Sequence, residues 1–369
     1  MKFKFLFLLL ISSSFAGKLY ASNLQQTPDT LLATMLKPFG RSVLNKEKKL
    51  ELISSAVHFG FKFNGESFKI LATLNNKNEH NYLQYEIDGK YQTRIRVDGN
   101  NQKPILIEAN GKGEHTVWIY KATEAHTGPI LIQSIVANKI AAIEVPKAPL
   151  IEFIGNSITC GAASDASDFP CGTGSYHDQH NAYMAYGPRV ARQIKANYIL
   201  SSVSGIGIYR TWNMDGPSMP QVYEREDFQN NTVDKWDFKQ YDPEIVSIAL
   251  GTNDMSNGDG KTERKPFEPD VFINEYVKFI KLIKSKYPKA KIALLSSPMI
   301  HGAQKNLLEK SLLTIKAKVD SMYANDKKVS VFFFPEMQPH GCSGHPDVAD
   351  HLILAKQLYP FFSKMIKNK

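Results

Sequence analysis

Three cysteines in 369 residues are too few to build a disulfide scaffold, so the fold must rest on a buried core. No apolar run reaches the roughly 20 residues needed to span a bilayer, which excludes stable membrane insertion. Walker loops, zinc-finger spacing and RRM signatures are all missing, and the 45 Lys and Arg are scattered rather than gathered into a stripe. The net charge of +9 therefore speaks for solubility and weak nonspecific attraction, not for a nucleic-acid partner. The 23 Gly and 19 Pro follow no G-X-Y period, and 43% hydrophobic residues are too many for a disordered chain. What remains is a globular chain long enough for two domains. Nothing in it speaks to oligomeric state.

The first 22 residues have the order of a secretory signal. Lys2 and Lys4 precede an apolar run from Phe5 to Ile11, followed by Ser12, Ser13, Ser14 and Ala16. Secretion or a periplasmic location is the expectation. An oxidising compartment would permit disulfides among Cys160, Cys171 and Cys342.

Residues 25–145 carry alternating strand patterns. Tyr82 to Ile87, Asp88-Gly89, then Tyr91 to Val97 predict a hairpin, because Asp-Gly tolerates the positive φ values of a type I′ turn. Ile105 to Ile107 lead through Asn110-Gly111-Lys112-Gly113 into Thr116, Trp118 and Tyr120, which predicts a second hairpin. The expectation is an all-β sandwich.

Pro146 to Pro149 marks a seam. Over 149–369, short continuous apolar runs at 150–154, 198–203, 245–250, 292–295 and 329–334 alternate with helical stretches at 183–196, 271–286, 307–324 and 348–366. Strands covered on both faces and alternating with helices require a parallel sheet with right-handed crossovers, an α/β domain. Chemistry in such sheets collects beyond the carboxyl ends of the strands.

Four loops lie at those ends. Strand one leads into Gly155-Asn156-Ser157-Ile158-Thr159 and strand two into Ser204-Gly205-Ile206-Gly207. Strand three leads into Gly251-Thr252-Asn253-Asp254, and Gly344-His345-Pro346-Asp347 precedes the last helix. Taken singly, each reads as turn glycines or a helix cap. In this order they supply a nucleophile, two oxyanion donors and a base, the kit for acyl transfer.

These four blocks resemble those of the SGNH or GDSL hydrolase superfamily. Ser218-Met219-Pro220-Gln221-Val222-Tyr223, the stretch from Glu114 to Glu124 and a β-sandwich ahead of the hydrolase are similar to carbohydrate esterase family 2. The resemblance implies a jelly-roll N-terminal domain, then a three-layer α/β/α domain. It implies deacetylation of acetylated polysaccharides or oligosaccharides such as xylan or glucomannan, with no metal or cofactor. Ser157 and His345 become the catalytic pair, and the Ser157 and Gly205 N–H groups with the Asn253 amide become the oxyanion hole.

Two positions depart from the superfamily pattern. Asn156 stands where Asp is usual, and Cys342 stands where an Asp three residues before the His is usual. The imidazole could be oriented by a backbone carbonyl or by a distant Asp such as Asp165 or Asp168. Gly344 leaves absent an aromatic residue that family members often carry before the His.

A Cys160–Cys342 bridge would staple the two catalytic loops. Cys160–Cys171 is the rival, with a free Cys342 as the third case. Trp212, beyond Gly205, is a candidate sugar platform or loop packing. Other readings are a lipid or thioester hydrolase on the same fold, a catalytically weak carbohydrate-binding protein, and transfer of the acyl group to an alcohol other than water.

Overall fold

The structure, a computed structural model, describes residues 28–213, 216–229 and 234–367. The predicted secretory segment, 1–22, lies outside the described residues.

Nine antiparallel strands come first: β1 (Asp29–Leu32), β2 (Ser42–Leu44), β3 (Leu50–Leu52), β4 (His58–Leu74), β5 (His80–Ile87), β6 (Lys90–Asp98), β7 (Ile105–Glu108), β8 (Glu114–Lys121) and β9 (Ile130–Ile143). They pair in the order β2-β3-β9-β4-β8-β5-β6, with β1 on β9 and β7 on β4. Alternation along the long β4 sends Phe59, Phe61, Phe63, Phe68, Ile70 and Ala72 into one core. Register shifts at Lys62/Asn64 and Asn64/Lys69 bend β4, so its first half pairs with β8 and its second with β7.

The hairpin β5–β6 forms where expected, with positive φ at Asp88 and Gly89 (52° and 74°). The second hairpin does not form. β7 and β8 both run antiparallel to β4, one beside each half of it, instead of pairing with each other, and the Asn110–Gly113 segment joins them end to end. Turn-forming residues there permit a bend without forcing a reversal, and the partner of both strands is the longer β4.

Five strands follow: β10 (Leu150–Gly155), β11 (Asn197–Ser202), β12 (Ile245–Ala249), β13 (Lys291–Leu295) and β14 (Ser330–Phe332). All are parallel, in the order β11-β10-β12-β13-β14. The helices are α1 (Ser157–Cys160), α2 (Tyr186–Gln193), α3 (Met219–Val222), α4 (Pro269–Lys286), α5 (Gly302–Met322) and α6 (Val348–Lys367). Helices α2 and α6 cover one face through Val190, Leu354, Leu358 and Phe362, against Ile151 and Phe153 of β10. Helices α4 and α5 cover the other through Phe272, Ile280 and Leu312, against Ile154 and Ile248. Strands with neighbours on both faces explain the continuous apolar runs. In α4, Phe272, Tyr276, Phe279, Ile280 and Ile283 are buried on one face, whereas Val271 faces solvent.

The two units are packed together. Residues 165–181, between α1 and α2, lie against β5 and β6. Arg94 donates to the carbonyls of Asp178 (2.5 Å) and His180 (3.1 Å) and pairs with Asp168 (2.8 Å). On another side, buried Arg41 donates to the Tyr223 carbonyl (2.9 Å) and lies over the Phe228 ring (3.9 Å), while the Tyr223 phenol donates to buried Glu152 (2.9 Å).

Candidate active site

The order β11-β10-β12 places a topological switch at the carboxyl end of β10, because the chain crosses outward in opposite directions to reach its two neighbours. Ser157 sits there. Gly155 ends the strand, and a Cβ on it would lie 2.0 Å from Thr159 Oγ1, so glycine is required for the close approach of α1. Asn156 caps α1 by accepting the Ile158 N–H at 3.1 Å, the capping shape that an Asp would also have supplied. As the first residue of α1, Ser157 has no carbonyl one turn earlier for its own N–H to bond.

His345 arrives from the loop before α6. Its Nε2 is 2.9 Å from Ser157 Oγ, and its Nδ1 is 3.0 Å from the Ser343 carbonyl oxygen. A carbonyl only accepts, so Nδ1 carries the proton and the Nε2 lone pair faces the serine hydroxyl. The carbonyl is aimed by backbone in the left-handed region, with Ser343 at φ 52° and Gly344 at φ 69°. Burial pushes the imidazole below its ordinary pKa, with the Ser343 bond opposing. Neither distant carboxylate orients it. Asp165 accepts from Asn181 (2.6 Å), and Asp168 is held by Arg94.

The loops bearing Ser157 and His345 are joined by backbone bonds. Cys342 N–H donates to the Ala163 carbonyl (2.8 Å) and Val348 N–H to the Ser164 carbonyl (3.0 Å). They are not joined by the expected disulfide. Cys171 pairs with Cys342, with Cα atoms 5.0 Å apart, while Cys160 is free and buried against Ser202 Oγ at 3.2 Å. Cys160 ends α1 facing the protein interior, whereas the long excursion after α1 carries Cys171 over to the His345 loop.

Ser157, Asn253 and His345 line one cavity of about 370 Å³, with Trp212, His301 and Gln304 on its other walls. The Asn253 amide donates to the Ile206 carbonyl (2.8 Å), which fixes the side chain and leaves its second N–H. Gly205, at φ 75°, lines an adjoining cavity of about 250 Å³, and Trp212 borders both. Trp212 is 45% exposed, and its N–H donates to the Gly205 carbonyl at 2.7 Å. The Gly205 loop is further shaped by Asp254, which accepts from Ile208 N (2.9 Å) and Tyr209 N (3.0 Å) and whose pKa burial raises to about 6. A Cβ at Gly207 would meet the Arg210 carbonyl at 2.3 Å and the Asp254 carboxylate at 2.4 Å, so only glycine fits.

Sequence reasoning did not find the contribution of the antiparallel unit. Glu124 and His126, just after β8, reach this region, Glu124 accepting from Ser204 N at 2.5 Å and His126 lining the cavity beside Gly205. Glu124 closes the 114–124 stretch that carries the family resemblance, but nothing in that stretch assigned it a role, and no motif surrounds His126. Among the described residues, one cluster has metal-ligand chemistry: His80, His177 and Asp178, with ligand atoms within 4.8 Å of one another. Its Asp178 oxygens are already bonded to His80, Tyr82 and Ser175 N, so it serves as a latch between β5 and the 165–181 segment.

A serine bonded to a neutral imidazole at the switch point of a 2-1-3-4-5 parallel sheet, with an Asn from the third strand beside it, defines an acyl hydrolase of the GDSL type. Residues 39–146 match the family described as Carbohydrate esterase 2 N-terminal, and residues 153–329 match the GDSL-like Lipase/Acylhydrolase family. The chain thus carries a carbohydrate esterase 2 N-terminal domain followed by a GDSL-like acylhydrolase domain.

It is 25% identical to an acetylxylan esterase / glucomannan deacetylase of Cellvibrio japonicus, over 98% of both chains. It is 29% identical over 300 residues to a cellulase/esterase of Acetivibrio thermocellus, matching 78% of this chain and spanning about a third (34%) of that protein's length. A family two carbohydrate esterase structure from Cellvibrio japonicus shares the fold, with a TM-score of 0.79 at 22% identity, over 92% of this chain and 98% of that one. Among the described residues, no helix is long and apolar enough to cross a membrane.

Proposed function

We propose that the protein is an exported carbohydrate O-acetyl esterase that removes acetyl groups from xylan- or glucomannan-type polysaccharides or their oligosaccharides. The observation that carries this reading is the contact between Ser157 Oγ and His345 Nε2 at 2.9 Å, with Nδ1 held by the Ser343 carbonyl.

In this mechanism His345 accepts the Ser157 proton as Oγ attacks the acetyl carbonyl. The oxyanion that develops is met by the Ser157 and Gly205 N–H groups and the free N–H of Asn253. Collapse of the tetrahedral intermediate breaks the ester bond, and His345 gives its proton to the departing sugar oxygen. The imidazole, neutral again, takes a proton from water as that water attacks the acetyl-serine. Acetate leaves and Ser157 is restored. During each half-reaction the imidazolium is stabilised by the Ser343 carbonyl in place of a carboxylate.

The substrate class rests on two supports. The relative matched end to end is an acetylxylan esterase / glucomannan deacetylase. The cavity around Ser157 also mixes hydrogen-bonding groups (Ser256, Asn257, His301, Gln304) with the exposed Trp212, the surface that a pyranose ring with its hydroxyls requires. Export is supported by the order of residues 1–22 and by the Cys171–Cys342 disulfide, which suits an oxidising compartment.

The experiment is acetate release from acetylated xylan, acetylated glucomannan and aryl acetates by the native protein and by Ser157→Ala. Release by the native protein alone is the expected result. Release that survives in Ser157→Ala removes the nucleophile, and release from aryl acetates without either polysaccharide removes the glycan.

A further inference from the structure

We propose that Glu124, from the antiparallel domain, is a positioning residue of the catalytic centre: its carboxylate anchors Ser204 and thereby holds the Gly205 N–H in place for the oxyanion. The inference rests on the hydrolytic reading above and deepens it.

Glu124 is 2% exposed, and among the described residues its side chain bonds His180, Ser204 and Cys160, all of the hydrolase unit. One oxygen, Oε2, accepts the Ser204 N–H at 2.5 Å and lies 3.7 Å from Cys160 Sγ. The other, Oε1, is 3.2 Å from His180 Nε2. Because His180 Nδ1 accepts the Ala163 N–H (3.3 Å), its Nε2 carries the proton and donates to Glu124. Behind the carboxylate, Lys121 Nζ donates to the Glu124 carbonyl at 2.5 Å and fixes the backbone. Burial alone would push the carboxyl upward, yet the bonds from His180 and Ser204 hold it down at about 2, so the group is charged at any working pH.

A buried charge is costly, and an apolar side chain would fill the seam at lower cost. Each partner that Glu124 has chosen is adjacent to a part of the reaction. Ser204 precedes Gly205. Cys160 is in α1, three residues after Ser157. His180 packs edge-on against Tyr176, whose ring in turn packs against His345.

The peptide that carries the Gly205 N–H therefore lies between two anchors: Glu124 on the Ser204 N–H, and the Trp212 N–H on the Gly205 carbonyl. Oxyanion donors work because they are aimed before the charge develops, so loosening one anchor should lower kcat and spare KM.

The test measures kcat and KM for 4-nitrophenyl acetate, with melting temperatures alongside, in full-length Glu124→Ala, Glu124→Gln and Glu124→Asp. Glu124→Ala is expected to lower kcat about 10- to 100-fold with KM changed less than about threefold. Glu124→Gln keeps an oxygen within reach of Ser204 N and should recover kcat to within about fivefold of native. Glu124→Asp keeps the charge but stops one methylene short, so it should be slower than Gln even if the Ala variant fails to fold. The proposal is overturned if folded Glu124→Ala keeps native kcat, if Gln is no faster than Ala or Asp, or if the loss falls in KM. Ser157→Ala, run in parallel, separates the two claims: turnover that persists there overturns the hydrolytic reading instead.

Discussion

The Nδ1 of His345 faces the carbonyl oxygen of Ser343, two residues upstream in the same loop, at 3.0 Å. The group that orients the base is thus part of the base's own backbone, and it cannot be removed by changing a side chain. A carbonyl also adds no full negative charge, so burial is free to lower the imidazole pKa below its ordinary 6.5. The base must be neutral to work. Lowering its pKa keeps it neutral further into acid, and the acid limb of kcat/KM should turn over below pH 6.5. A limb centred at or above pH 6.5 would contradict this assignment.

Asn253 has two tasks, one amide N–H for the Ile206 carbonyl and one for the cavity. Asn253→Ala should reduce kcat by about 10²- to 10³-fold. Loss of the Ile206 bond should cost about 1 kcal/mol of stability, read from denaturant melts. A large stability loss with kcat intact would make Asn253 structural only.

Trp212 presents a half-exposed ring between two cavities while its backbone N–H holds Gly205. Trp212→Ala keeps that N–H, so turnover of aryl acetates should persist. On acetylated polysaccharide KM should rise about 2- to 10-fold, the worth of one aromatic contact. Equal effects on both substrates would place the ring in loop packing.

The Cys171–Cys342 bridge closes a separation of 171 residues and holds the His345 loop at its base. Chain-entropy arithmetic gives an upper bound of about 5 kcal/mol for its contribution. Thiol titration should find no reactive thiol in the folded protein and one, Cys160, after unfolding without reductant. Cys171→Ser should lower the melting temperature. Three thiols in unreduced, unfolded protein would refute the pairing.

Much of this site was legible in the sequence because its parts are local. Gly155 to Thr159, Ser204 to Gly207, Gly251 to Asp254 and Gly344 to Asp347 are short blocks whose place at strand ends follows from the apolar runs before them, and the structure brings Ser157, Asn253 and His345 to one cavity. What escaped depends on contacts between distant segments. Cys171 lies in an irregular excursion, and no periodicity says that it crosses to Cys342. The partner of β7 was settled by β4, not by the turn at Asn110–Gly113. Glu124 ends a stretch that carries the family resemblance, but its role shows only where the two units dock. The role of Gly155 was read as a turn, whereas the requirement is room for Thr159.

Arg41 reaches from the first unit to the carbonyl of Tyr223, whose phenol in turn bonds Glu152 on β10 of the second. A fragment trimmed at Pro146–Pro149 would leave that carboxylate without its nearby cation and uncover Phe228 and Tyr223 to water. The hydrolase half should then fail to refold by itself, and the antiparallel unit is better regarded as an inner wall of the enzyme than as a detachable accessory.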